Sequence, residues 1–157
     1  MTDFENLVKS IEAETGLRLK PAADGIVEMA SEGRIILLKP ESYGEYLTLF
    51  TVVATVPGID DPESGAGRAV MSAALKLSLF GRETIGGYLG LFADSIIFSR
   101  TMPIEGVDAG ELINRMIAFA RLANGIEERL EGSVPVEDVG GGLGSLPAAG
   151  AFEMFMA

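Results

Sequence analysis

Apolar residues at the start of the chain recur at intervals of three and four, which is the stripe of an amphipathic helix. They are Phe4, Leu7, Val8 and Ile11. Thr2 and Glu5 have the spacing of a capping box, in which each side chain accepts a hydrogen bond from the other residue's backbone. Gly16 stands where a left-handed C-terminal cap is expected. The pattern therefore predicts a first helix over residues 3–15.

Three segments with the composition of strands follow, at residues 25–30, 34–39 and 45–56. The stretch Ser31-Glu32-Gly33 between the first two supplies a glycine for a tight hairpin turn. The third segment is rich in Val, Thr, Leu and Phe and stops at Pro57-Gly58, which is a strong turn signal. We therefore expect three strands joined by short connections.

A second helix is predicted over residues 65–80, directly after Ser64, which is a favourable N-cap. Small and large apolar residues are interspersed along this helix, and only Arg68 and Lys76 carry charge. A helix that is apolar nearly all round is expected to be buried on more than one side. Its small residues would allow another backbone to approach closely.

The segment YLGLFADSIIFSRTMPI, residues 88–104, predicts a hairpin that turns at Ala93-Asp94-Ser95. Side chains alternate between the two faces of a strand, so a half-buried hairpin should alternate apolar and polar residues. In the first arm both faces are instead apolar. Tyr88 and Phe92 point to one face, and Leu89 and Leu91 point to the other. The pattern indicates that something covers the second face.

A third helix is capped at Asp108 and is predicted to run to near Glu131, with an apolar stripe sustained for about six turns. Residues 132–157 are rich in Gly, Ala and Pro and end in an apolar stretch. The element order α-β-β-β-α-β-β-α indicates an α+β fold with an antiparallel sheet packed against helices. We expect one domain over residues 1–131 and a Gly-rich C-terminal tail over residues 132–157.

Charge and composition narrow the range of partners. Hydrophobic residues make up 48% of the 157, yet the net charge is −11. This charge repels phosphate backbones and anionic lipid surfaces, so neither nucleic acid nor membrane insertion is expected, whereas a basic or apolar protein partner is. The chain has no cysteine, no basic N-terminal region ahead of an apolar stretch, and no charge-free run of the ~20 residues that span a membrane. We expect a cytoplasmic protein.

The sequence contains few residues that are typical of a catalytic site. The chain contains no histidine, which removes the commonest general base and metal ligand, and we predict no catalytic residues, metal or cofactor. The carboxylates of Asp60, Asp61 and Glu63 suit a hard cation such as Ca²⁺ or Mg²⁺. Acidic residues ahead of a helix are also favourable through the helix dipole alone. A small-ligand binder, metal binder or enzyme that uses these three residues therefore stays open as an alternative.

Two stretches resemble the class I type III secretion chaperones, the Tir-chaperone or CesT-like family. One is the N-terminal helix with the TGLRL that follows it, and the other is residues 79–131. In that family a Gly-bearing strand, a short turn, a second strand, a loop of the form P-L/I-x-G-x-D and a long last helix occur in this order. Here the loop is Pro103–Asp108, and the resemblance covers about residues 1–131.

The resemblance implies a homodimer that binds the N-terminal segment of a secreted effector and keeps it extended for export without ATP. A regulatory protein-binding module of the same fold is the alternative. In the family the dimer forms through the second helix and the strand after it. The corresponding residues are Val70, Ala73, Ala74, Leu77, Tyr88, Leu89 and Leu91. In a monomer the same residues would pack internally.

The resemblance also implies that the first helix and the sheet bind the client, and an extended peptide can lay alternate side chains into apolar pockets of such a surface. Our candidates are Phe4, Leu7, Ile26, Met29, Ile36, Leu38, Leu47, Leu49 and Phe98. The same residues can equally form the core.

The tail departs from the family, whose members mostly end soon after the last helix. One hypothesis is that Phe152, Met154 and Phe155 fold back over the empty client-binding surface. Deleting residues 138–157 should then tighten client binding. The alternative is a disordered tail in which the phenylalanines have no role.

Overall fold

The first helix, α1 (Asp3–Thr15), begins at the predicted capping box. In this computed structural model, which describes residues 2–134, Thr2 Oγ1 accepts a hydrogen bond from the Glu5 N–H at 3.2 Å. Glu5 Oε2 accepts in return from the Thr2 N–H at 2.9 Å. Gly16 ends the helix with a φ of 71°, and its N–H donates to the Glu12 carbonyl. The predicted apolar stripe is the buried face of the helix.

The first two strands, β1 (Val27–Ser31) and β2 (Arg34–Glu41), form an antiparallel hairpin. Glu32 and Gly33 make its turn, with φ values of 51° and 79°. Two consecutive positive φ angles are the signature of the type I′ turn, whose twist matches that of the paired strands. The short helix Ser42–Gly44 then leads into β3 (Tyr46–Thr55), which pairs antiparallel with β2.

The second helix, α2 (Gly65–Ser78), begins at Ser64 as predicted, and Ser64 Oγ accepts a hydrogen bond from the Gly67 N–H at 3.1 Å. The helix ends two residues earlier than predicted and passes into the short helix Leu79–Gly81. Within residues 2–134 the buried positions of α2 are Ala66, Gly67, Val70 and Ala74, which share one face. The expectation that α2 is buried on more than one side stays a prediction, since it calls for a partner.

The predicted hairpin is formed by β4 (Tyr88–Phe92) and β5 (Ser95–Pro103). The last helix, α3 (Ala109–Glu131), follows, and Asp108 Oδ1 accepts a hydrogen bond from the Glu111 N–H at 2.7 Å. The five strands form one sheet in the order β1-β2-β3-β5-β4, so β4 lies at an edge. The α+β fold with an antiparallel sheet and helices is confirmed.

The described residues group into two compact units. The first consists of the chain up to Thr51 together with Ser99–Leu122, and the second consists of Val52–Phe98 together with the chain from Ala123 onward. Each unit has its own apolar core. The largest fully buried side chains of the first unit are Ile11, Ile36, Leu38, Leu47, Leu49 and Leu112. Those of the second are Val53, Ile96, Phe98, Ile126 and Leu130.

The proposed tail begins within the last described residues, and positions 135–157, including Phe152, Met154 and Phe155, lie outside them. Among residues 2–134, no helix is both long and apolar enough to cross a membrane.

Candidate protein-binding surfaces

The nine residues predicted to bind a client are all buried in the single chain. Their exposed fractions do not exceed 7%, and Ile36, Leu38, Leu47, Leu49 and Phe98 are completely buried. These side chains fill the cores described above, because they lie on the strand and helix faces that are turned inward. A surface for protein binding must therefore be sought among other, exposed side chains.

The opposite face of β2 and β3 in the first unit offers such side chains. Ile35 and Leu37 alternate with the buried Ile36 and Leu38, so they point to the other side of the strand. Ile35 is 41% exposed, and Tyr46 is 44% exposed on the same face of β3. We call this the outer sheet face and define it by Ile35, Leu37, Tyr46, Thr48 and Phe50.

The antiparallel pairing of β2 with β3 determines which side chains are neighbours on the outer sheet face. Leu37 of β2 lies opposite Phe50 of β3, and both are buried although they point away from the core face. Thr48 Oγ1 and Thr101 Oγ1 lie 2.7 Å apart in a hydrogen bond. On this face Ile35 and Tyr46 are therefore the exposed large side chains, and such apolar groups suit contact with an extended peptide.

A groove of about 300 Å³ runs between α1 and the loop that leads into α3. Its apolar lining includes Leu7, Ile104 and Val107, while Asp3 and Glu14 contribute carboxylates. Leu7 is therefore a predicted client-binding residue that reaches an accessible site, although most of its side chain is buried. The acidic lining favours a basic segment over an acidic one.

The residues predicted for the dimer interface divide between core and surface. Val70 and Ala74 are 1% and 7% exposed and pack inside the single chain. The remaining five are half-buried or exposed, with Tyr88 at 69% and Leu91 at 47%. The sequence reasoning missed Leu75, which is 70% exposed on α2.

The helix α2 and the edge strand β4 are in contact within the second unit, so their exposed apolar side chains belong to neighbouring elements. We call these side chains the α2–β4 surface. It consists of Ala73, Leu75, Leu77, Tyr88, Leu89 and Leu91. Leu89 and Leu91 share one face of β4 and Tyr88 lies on the other, so these side chains do not all belong to one face. Exposed apolar side chains of this kind are typical of interaction sites.

The segment between α2 and β4 exposes a further apolar group, which the sequence reasoning also missed. Leu79, Phe80 and Ile85 are 60%, 93% and 61% exposed, and we call these three residues the apolar loop. Phe80 and Ile85 have φ values of 59° and 48°, which are unusual for bulky and β-branched residues. No pattern of hydrophobic spacing indicates these angles.

Buried and charged residues hold the apolar loop in place. Thr84 is completely buried, and its hydroxyl donates a hydrogen bond to the Gly87 carbonyl at 2.8 Å. Glu83 forms an ion pair with Arg129 of α3, with 2.5 Å between Oε2 and Nη1. The hydrogen bond from Arg129 and its positive charge hold the pKa of the Glu83 carboxyl below its ordinary value of 4.5.

The acidic loop is arranged as a turn ahead of α2. Asp61 Oδ1 accepts a hydrogen bond from the Glu63 N–H at 2.9 Å, and Asp60, Asp61 and Glu63 are all exposed. Within residues 2–134, no three acidic side chains are grouped closely enough to hold a metal ion. The carboxylates thus shape the entry into α2.

The sequence matches one known protein family over most of its length. The profile of the Tir chaperone protein (CesT) family matches residues 6–125. The chain belongs to this family. No curated protein sequence matches it.

Solved structures support the same fold for this CesT-family protein. One similar structure is that of the HopA1–SchA chaperone–effector complex, with 18% identity, a TM-score of 0.57, and coverage of 80% of this chain and 94% of the other. Another is that of the Yersinia pestis type III secretion chaperone SycH in complex with a stable fragment of YscM2. It has 14% identity, a TM-score of 0.56, and coverage of 78% of this chain and 98% of the other.

Proposed function

We propose that this CesT-family protein is a homodimeric, ATP-independent cytoplasmic chaperone that binds the N-terminal segment of a type III secretion effector and keeps it extended for export. The match of the family profile to residues 6–125 carries this proposal. The chaperone domain comprises residues 1–131, and residues 132–157 form a tail. The function requires binding surfaces, and it assigns no catalytic residue.

The α2–β4 surface is the proposed dimer interface. Leu75, Tyr88 and Leu91 expose apolar area on a helix and on an edge strand, and burial of such area drives association. An edge strand also has unpaired backbone groups that a second copy can satisfy. Val70 and Ala74 then support the interface from beneath, because they anchor α2 to the core.

The outer sheet face and the groove beside α1 are the proposed client site. Both lie in the first unit, whereas the α2–β4 surface lies in the second. The outer sheet face supplies the exposed side chains of Ile35 and Tyr46 for an extended segment. The buried candidates, such as Ile36 and Leu38, shape this site by fixing the strands that carry it.

The function is tested by co-expressing the full chain with N-terminal segments of secreted effectors from the organism that encodes it. We expect a stable complex in the absence of ATP, in which the effector segment stays sensitive to protease and lacks a folded core. Ile35→Glu and Tyr46→Glu should weaken binding more than tenfold, because a carboxylate would be buried against apolar client side chains.

The matched control is Ala13→Glu, which adds the same charge at an exposed position of α1. This variant should bind the effector segment as the unaltered protein does. Equal weakening by all three variants would contradict the assignment of the client site. Failure of every effector segment to bind the folded protein would contradict the proposed function.

A further inference from the structure

The groove beside α1 follows one face of that helix along most of its length. Asp3, Leu7, Ser10 and Glu14 line it, and they follow one another at alternating steps of four and three residues. Residues at this spacing share one face of a helix. With a rise of 1.5 Å per residue, Asp3 and Glu14 are about 16 Å apart along the helix axis. The groove is therefore elongated, with a carboxylate toward each end of α1 and an apolar side chain between them.

The opposite wall of the groove is the loop that leads into α3. Hydrogen bonds fix this loop, because the Ile104 N–H donates to the Glu45 carbonyl at 3.1 Å and the Val107 N–H donates to the Ile104 carbonyl at 3.0 Å. Leu7 and Ile104 are buried, and Val107 is half-buried. Together the three side chains form an apolar base, so the middle of the groove is preformed for an apolar side chain.

The charges around this apolar base are all negative. Asp3 and Glu14 are exposed on α1, and Asp108 is exposed on the opposite wall, where its Oδ1 accepts a hydrogen bond from the Glu111 N–H. None of the described residues that line the groove is basic. Within residues 2–134 no three acidic side chains are close enough to hold a metal ion, so these carboxylates act at separate points. Such an arrangement favours positive charges that are separated by an apolar group.

The size of the groove suits an extended peptide. Its volume of about 300 Å³ is at the lower limit for ligand sites, so it holds a few side chains and no folded element. Every second side chain of an extended peptide points the same way, with about 6.6 Å between them. This spacing matches the rise of about 6 Å from Asp3 to Leu7. The fifth residue lies about 13 Å from the first, and a flexible Lys or Arg side chain covers the remaining distance to Glu14.

We propose that the groove beside α1 binds an extended client segment in which basic, apolar and basic residues occupy alternate positions, as in Lys-x-Leu-x-Lys. The two basic side chains pair with Asp3 and Glu14, and the apolar side chain contacts Leu7, Ile104 and Val107. This assignment rests on the proposed chaperone function and specifies the class of client sequence that one part of the client site takes.

Synthetic peptides test the groove without an effector. The probe is a capped peptide that carries Lys-Ala-Leu-Ala-Lys between Gly-Ser flanks, and the two comparison peptides carry Glu-Ala-Leu-Ala-Glu or the rearranged Lys-Lys-Leu-Ala-Ala. Each is titrated into the full chain with ¹³C-labelled leucine methyl groups, and the shift of the Leu7 signals gives the Kd. We expect the probe to bind about fivefold to tenfold more tightly than either comparison peptide, because it alone places a cation near each carboxylate.

Matched variants locate the binding. Ser10→Arg and Ala13→Arg add the same charge to exposed positions of α1, but only Ser10 lines the groove, so only Ser10→Arg should weaken probe binding, by about fivefold or more. Asp3→Asn with Glu14→Gln should weaken it to a similar extent. Asp60→Asn with Glu28→Gln removes the same charge at exposed positions outside the groove and should have little effect. Equal binding of the Lys and Glu peptides, or equal effects of the two arginine variants, would overturn the proposal.

Effector segments separate the failure of this proposal from the failure of the proposed function. If they bind Ser10→Arg as tightly as the unaltered protein, the groove does not contribute to client binding, and the proposal is overturned while the chaperone function stands. If the probe occupies the groove but no effector segment binds the folded protein, the chaperone function is contradicted, whereas the charge preference of the groove is supported.

Discussion

At the scale of single residues, the ion pair of Glu83 and Arg129 predicts how protein stability depends on pH. Arg129 lowers the pKa of Glu83 from 4.5 through a hydrogen bond and through its charge. The stabilisation that the pair contributes is therefore present above the unfolded-state pKa and is lost as the pH falls through the lower folded-state pKa. Both side chains are exposed, so the contribution is small.

We expect the Glu83 carboxyl to titrate below 4.5 in the folded protein and to move back toward that value in Arg129→Gln. NMR titration of the side-chain carboxyl carbon measures both values. Arg121→Gln is the control, since Arg121 pairs with Glu32 instead. An unchanged Glu83 pKa in Arg129→Gln would show that the pair does not form in solution.

At the scale of elements, the start of α2 depends on a close backbone approach. A Cβ atom at Gly67 would lie 2.4 Å from the Pro57 carbonyl oxygen, closer than real Cβ atoms come to other atoms. Ser64 Oγ donates to the same oxygen at 2.9 Å. The turn after β3 and the first turn of α2 therefore pack closely, because Gly67 has no side chain and the Ser64 hydroxyl forms a hydrogen bond between them.

Gly67→Ala should destabilise the protein by about 1–3 kcal/mol, because the added methyl group must displace backbone. Gly65→Ala is the matched control: it lies in the same helical turn with no atom within 4 Å of the added Cβ. This control should leave stability unchanged or raise it by up to about 1 kcal/mol, since alanine favours helix. Chemical denaturation measures both, and equal losses would contradict the close approach.

The starts of the helices could be predicted from the sequence, because each depends on a hydrogen bond between residues that are close in the chain. Thr2, Ser64 and Asp108 were predicted as helix caps, and each one makes the expected hydrogen bond. The faces of α2 could not be predicted, because leucine at 75 and valine at 70 have the same apolar character. Only the tertiary fold places Val70 in the core and Leu75 at the surface.

The candidate site was less predictable than the fold for a related reason. In β2 the run Ile35–Leu38 is apolar on both faces, so alternation cannot tell which side chains turn inward. Ile36 and Leu38, which are predicted to contact a client, are buried in the single chain, whereas Ile35 is exposed. The turn at Phe80 was missed because hydrophobic spacing carries no information about positive φ angles.

At the scale of the whole molecule, the net charge and the exposed apolar surface have opposite effects on the proposed dimerisation. Each chain carries a net charge of −11, so two copies repel at a distance, whereas the proposed contact between their α2–β4 surfaces would be attractive. Salt screens the repulsion and leaves the apolar contact largely intact. The proposed dimer should therefore become tighter as the salt concentration rises.

Light scattering should give a solution mass near twice 16.5 kDa, and the dimer should dissociate at a higher protein concentration in low salt than in high salt. Leu75→Glu should yield a folded monomer, because Leu75 is exposed within the chain and its replacement leaves the core intact. Ala13→Glu adds the same charge at an exposed position of α1 and should remain dimeric. A monomer at all concentrations of the unaltered protein would contradict the dimer.

The left-handed backbone at Phe80 and Ile85 carries a cost that folding alone does not require. Glycine would adopt both conformations freely, whereas each larger residue gives up roughly 1–2 kcal/mol there. Replacing either residue with glycine would remove this backbone cost and the exposed apolar side chain in one step. Backbone strain and surface apolarity at these two positions are therefore expected to fall together.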